Sequence, residues 1–164
     1  MTGPTARDRD PAGRARNARP RDELGRPLPR SGAPDGLRIP DDLVISPAEA
    51  AELGGRLLAE GRPFHAHEVF EAAWKSVAGP DRELWRGLAQ IAVGLTHARR
   101  GNARGAVALL RRGAGQVAVF AGTSREVDPE FVAGQASDLA QLIEQAGLAG
   151  VPDSALRLRL IRDA

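Results

Sequence analysis

The stretch Phe64-His65-Ala66-His67-Glu68-Val69-Phe70-Glu71-Ala72-Ala73-Trp74 sets two histidines and two glutamates among apolar residues. At 100° per residue, His67 and Glu71 stand one helical turn apart and can touch. Phe70, Ala73, Trp74 and Val77 centre one face of that helix, and His67 falls on it beside Trp74. His67 is therefore expected to be partly buried and Glu71 to sit at the edge of the face. Glu68 lies farther round, and His65 is expected to point to solvent. Such a pair could do acid–base work, the histidine moving a proton while the carboxylate orients it. It could also contribute to a divalent-metal site. The run differs from the zinc helix His-Glu-x-x-His in its last residue, which is Glu71. A di-metal bundle needs two Glu-x-x-His units, and the chain has none.

A second segment offers partners. Gly87, Gly94 and Gly101 recur every seven residues, flanked by Gln90 and His97 at the same spacing. A bare glycine strip lets another helix approach closely. If that neighbour is the His67 helix, then His67 and Glu71 meet Gln90 and His97 across the contact. Buried polar groups cost stability unless they are paired, and a mutual network would pair them. Two outcomes separate the uses of such a cluster. A dry, fully paired network is a scaffold that fixes helix register. An open pocket with imidazoles reaching water is a ligand or acid–base site, with His67, Glu71 and His97 as the metal candidates.

The elements that would position these residues are helices. Ser46-Pro47-Ala48-Glu49 is a capping box with proline at the first helical position. It predicts a helix to about Glu60, stopped by Gly61. Gly54-Gly55 in its middle lowers helix propensity by roughly 1 kcal/mol per glycine, so a close neighbour is expected there. Pro63 opens a second helix to about Val77, and Gly79-Pro80 closes it. Asp81 is expected to cap a third, with Leu84, Leu88, Ile91 and Leu95 as its buried stripe. Asn102 caps a fourth, which Gly113 and Gly115 could break or bend. Asp128-Pro129-Glu130 starts a fifth, ended by Gly147. Trp74 and Trp85 read as core residues. Leu156 to Leu160 alternates like a strand but has no strand to pair with. It is read as an extended or short helical segment lying on the bundle. The fold class is all-α, a single multihelical bundle or array of about five helices.

Residues 1–40 differ from the rest. They hold nine arginines against five acidic residues, seven of the twelve prolines and no aromatics. Such a segment cannot bury enough surface to offset its ordering entropy, and it reads as a disordered Arg/Pro-rich arm of net charge +4. The helical domain, 41–164, then carries −2, and the arm is expected to lie loosely along it. The whole chain has a formal charge of +2. Its pI of 10.2 reflects the use of arginine for every basic residue except Lys75. The arm could meet RNA or DNA phosphates, but it lacks aromatics for base stacking and its acids interrupt each positive run. Cysteine is absent, which excludes disulfides and thiolate metal sites and makes the cytoplasm the default. No apolar run reaches the roughly 18 residues of a membrane span. No apolar stretch follows the charged N-terminus as in a signal peptide.

Read together, Phe64, His67, Glu68, Glu71 and Trp74, Gly87-Leu88-Ala89-Gln90, His97, Gly101-Asn102, Gly105-Ala106 and Leu109-Leu110 have a familiar order. They resemble the family of bacterial, archaeal and plastid proteins called domain of unknown function 309, with the closest match over 64–114. The arm is similar to the leaders of actinobacterial members. The resemblance implies a compact multihelical array and no assigned activity. It also implies that His67, Glu68, Glu71, Trp74, Gln90, His97 and Asn102 belong together. The function expected is a non-catalytic binding or interaction module built on a His/Glu/Gln network, with no cofactor. The alternatives are a small-ligand protein or a metal-dependent or acid–base enzyme using His67, Glu71 and His97, and phosphate contact through the arm. The partner is not named by the sequence. Self-association through an apolar helix face is one option, and a membrane is not.

Overall fold

The structure is a computed structural model that describes residues 22–26, 38–120, 122 and 124–163. Five helices follow one another: α1 (Pro47–Ala59), α2 (Pro63–Ser76), α3 (Asp81–Arg99), α4 (Ala103–Ala118) and α5 (Pro129–Ala146). Two short 3-10 turns, Leu148–Gly150 and Asp153–Leu156, complete the described elements, which include no strand. Each helix packs on the next in chain order, giving an all-α array. No helix among the described residues is long and apolar enough to cross a membrane.

Local chemistry fixes the helix ends. The Ser46 hydroxyl accepts from the Glu49 amide while the Glu49 carboxylate accepts from the Ser46 amide, so the capping box is complete. These hydrogen bonds hold the Glu49 carboxyl below its ordinary pKa. At the other end Gly61 takes φ +74°, and the Arg62 amide donates to the Leu57 carbonyl. Asn102 and Asp128 cap α4 and α5 through their side chains. Asp81 is not a cap but the first helical residue of α3, and Pro80 holds the cap position. The proline ring sets φ near helical values one residue earlier than a capping Asp would.

Glycines decide how closely the helices approach. A Cβ at Gly54 would overlap the Phe70 ring, so the mid-helix glycine of α1 makes room for the largest fully buried side chain of α2. The strip on α3 packs against α4 rather than α2. A Cβ at Gly87 would stand 3.2 Å from the Gly113 carbonyl oxygen, and one at Gly113 would stand 2.8 Å from the Gly87 oxygen. Gly94 lies against the backbone of Leu110 in the same way. Gly113 is thus the counterpart of Gly87, which explains why α4 runs unbroken past it. Gly101 is not part of the strip. It turns the chain at φ +82° with nothing near it.

The C-terminal segment joins the last helix to the first. Leu158 and Leu160 are buried while Arg157 and Arg159 are exposed, as the alternation requires. No strand pairs with this segment. The Gln135 side chain of α5 does so instead, donating to the Arg159 carbonyl at 2.8 Å and accepting from its amide at 3.1 Å. The Asp128 amide donates to the Leu160 carbonyl, and Leu160 lies beside Gly55 of α1. Arg157 donates to the Ala59 carbonyl at the end of α1.

Candidate functional site

The buried side of α2 is lined by Pro63, His65, Ala66, Val69, Phe70, Ala72 and Ala73. It is turned away from the face expected from the large residues alone. The alanines lie on the side where neighbouring helices come close, so small size rather than bulk marks the contact. This overturns the expectation for one histidine. His65, expected in solvent, is fully buried at 0 % exposure, its ring edge-on to Phe64. His67 is partly buried, as expected. Trp85 is core at 2 % exposure, with its ring 6.0 Å from Phe70. Trp74 is half-buried. Arg82 stacks 5.0 Å over its ring and donates to its carbonyl, tying α2 to the first turn of α3.

His67 and Glu71 are paired as their spacing requires, with Nε2 3.6 Å from the carboxylate. Lys75 continues the row, 3.1 Å from the same Glu71. Burial lowers the His67 pKa below its ordinary 6.5, outweighing the upward pull of Glu71. Its Nδ1 is buried without a hydrogen-bond partner. Glu68, three residues before Glu71, is half-buried.

His97 belongs to a different pair. The Asn102 amide nitrogen stands 3.0 Å from His97 Nδ1, while Asn102 Oδ1 accepts from the Gly105 amide at 2.9 Å. Because the oxygen is occupied, the nitrogen must be the group that donates to the ring. Nδ1 then accepts, which selects the tautomer with its N–H on Nε2. The Asn102 backbone N–H also donates to the His97 carbonyl, so backbone and side chain of this pair both close the α3–α4 turn. Gln90 is half-buried, and its Oε1 has no partner.

The expected network between α2 and α3 is therefore not formed. No hydrogen bond or ion pair joins His67 or Glu71 to Gln90 or His97 among the described residues. The glycine strip, expected to face α2, faces α4 instead. Among the described residues no group of three or more His, Asp or Glu is arranged to hold a metal ion, so His67, Glu71 and His97 do not converge as ligands. An open groove of about 310 Å³ lies between Leu43–Ile45 and α1, lined by Leu53, Glu52 and Arg56 among others. It contains none of the candidate residues.

A contact that sequence reasoning missed lies where α2 begins and α3 ends. Within the arm, residues 22–26 form a tight turn organised by Asp22, whose Oδ1 accepts from the Leu24 and Arg26 amides. The turn is seated on the helical domain. Arg100 Nε donates to the Leu24 carbonyl at 2.7 Å. Gly25, at φ +75°, is buried against Phe64, where any Cβ would overlap the ring. Glu23 lies 4.0 Å from Arg62. Ile39 is also buried in the core. The signal available beforehand was Asp22-x-x-Gly25, a turn sequence in an otherwise featureless stretch. Most of the arm, and with it the expectation of phosphate contact, lies outside the described residues.

Residues 52–109 match the profile of a family described as a domain of unknown function (DUF309), a span from α1 into α4. No curated protein and no solved structure matches the chain.

Proposed function

For a chain whose residues 52–109 match the DUF309 family, a grouping without an assigned activity, we propose the function of a non-catalytic interaction module. Its docking surface is the corner formed by Arg62, Phe64 and Arg100. One observation carries this reading: the domain holds a non-helical segment there, through the Arg100 hydrogen bond to the Leu24 carbonyl and the seating of Gly25 on Phe64. Main-chain hydrogen bonding to a bound segment is one of the recurring ways in which modules take up a peptide.

The acid–base alternative is less well supported. It asks a histidine to move a proton while Glu71 orients it. His67 keeps Nδ1 away from solvent and turns Nε2 toward Glu71, and His97 is engaged in a helix end. These are the arrangements of residues that hold helices, and the polar pairs are read here as support for the corner rather than as its chemistry.

The test is amide hydrogen exchange on the full-length protein and on Arg100→Ala. The reading predicts faster exchange at Leu24, Gly25 and Arg26 in the variant, with the α3–α4 core unchanged. Equal exchange rates in the two proteins would contradict it.

A further inference from the structure

We propose that this corner takes up, from a partner protein, an acidic turn of the type Asp-Glu-x-Gly, and that residues 22–26 are its tethered competitor. The inference rests on the reading of the corner as a docking surface.

Charge complementarity names the partner. The end of the molecule around the corner is rich in arginine. Arg100 Nη2 lies 2.9 Å from where a Gly25 Cβ would stand. Arg99 and Arg157 both approach Gly61, next to Arg62, at 3.1 and 3.3 Å from its Cβ position. Asp153 is shared between Arg99 and Arg157, which leaves a positive excess at this end. The segment seated there is acidic at its start, Asp22-Glu23, although the leader as a whole is basic. A basic leader docked by its acidic piece is what a basic receptor surface selects.

The contacts also define what fits. Arg100 reads a backbone carbonyl, not a side chain. Phe64 accepts only a residue without a Cβ, held in the left-handed region that glycine adopts freely. Arg62 faces a carboxylate two residues before that glycine. Asp22 folds the turn and does not touch the corner through any of these contacts. A foreign chain with an aspartate, a glutamate and a glycine at the same spacing meets every requirement.

The tether explains why the competitor can be displaced. The Arg62–Glu23 pair is long and its Glu23 side chain is 72 % exposed, so it contributes little. A segment on the same chain is present at an effective concentration of order millimolar and needs little intrinsic affinity to stay docked. A partner with additional contacts would replace it.

The experiment uses full-length Gly25→Val, in which the new side chain collides with Phe64 and the backbone at φ +75° is strained. The probe is a capped synthetic peptide, Asp-Glu-Leu-Gly-Arg, followed by chemical-shift mapping. The expected result is binding to the variant about tenfold tighter than to the unaltered protein, because the tethered competitor is gone. The shifts should centre on Phe64 and Arg100. Binding should be lost in Gly25→Val combined with Arg100→Ala and in a peptide whose Gly is replaced by Val, and should weaken in a peptide whose Glu is replaced by Lys. Equal weak binding to both proteins, with residues 22–26 released in the variant by hydrogen exchange, would overturn the proposal while leaving the docking reading intact. Residues 22–26 still protected in Gly25→Val would overturn the docking reading itself. Self-association of the unaltered protein through exchanged arms, abolished by Gly25→Val, would assign the corner to a second copy and overturn the partner named here.

Discussion

Among single residues, His67 is the one whose chemistry the fold alters most. Burial lowers its pKa below 6.5, so folding favours the neutral ring. The contribution to stability is fully present above pH 6.5 and is lost as pH falls through the lowered folded value. His67→Gln should therefore flatten the fall in melting temperature between neutral and mildly acidic pH. An unchanged slope would show that burial of this imidazole does not set the acid limit. Asn102 offers a second test at this scale, because it both caps α4 and holds the His97 ring. Asn102→Ala should cost about 1 kcal/mol in denaturant unfolding, the usual value of a lost cap. The His67–Glu71 pair was legible from spacing alone, since i, i+4 neighbours on a helix have one geometry. The His97–Asn102 pair was not, because it spans the end of a helix, where a glycine at positive φ folds the chain back. The burial of His65, which patterning placed in solvent, has a related cause. Hydrophobic patterning weights large side chains, whereas the contact face of α2 is made by Ala66, Ala72 and Ala73.

At the scale of the element, five helices could be read from caps and stops, and their boundaries agree with the structure to within a residue or two. What could not be read was which helix faces the Gly87–Gly94 strip. A glycine strip announces a close neighbour without naming it, and the complementary residue, Gly113, looked like a helix breaker. Gly113→Ala tests this contact. Alanine raises helix propensity by about 1 kcal/mol, but its Cβ would stand 2.8 Å from the Gly87 carbonyl oxygen. Overpacking against backbone should dominate and destabilise the protein by about 1–3 kcal/mol, read from urea unfolding. A stabilised variant would mean that α3 and α4 are farther apart than described. The C-terminal segment gives the converse case, an alternating sequence with no strand to join. Its partner is one side chain, Gln135, which no periodicity analysis would select. Gln135→Ala removes two hydrogen bonds at a partly exposed site. It should cost about 1 kcal/mol and speed exchange of the Arg159 amide, with α2 and α3 unaffected.

At the scale of the molecule, sequence reasoning divided the chain into an arm and a domain on composition. That division holds no information about short segments within the arm. The turn at Asp22–Arg26 docks because one aspartate folds it, one glycine fits a ring and one arginine meets its carbonyl. These are pairwise fits that a count of arginines and prolines cannot register. The docked turn is the observation on which the proposal of an interaction module rests, and the polar residues weighed as a catalytic set stand apart on α2 and at the α3–α4 turn. The most direct measurement is the proton spectrum of Gly25 in the unaltered full-length protein. Seated on the Phe64 ring, its Hα protons should be shifted upfield and should show nuclear Overhauser contacts to the ring, both lost in Phe64→Leu. Random-coil shifts for Gly25, with no contact to Phe64, would contradict the account.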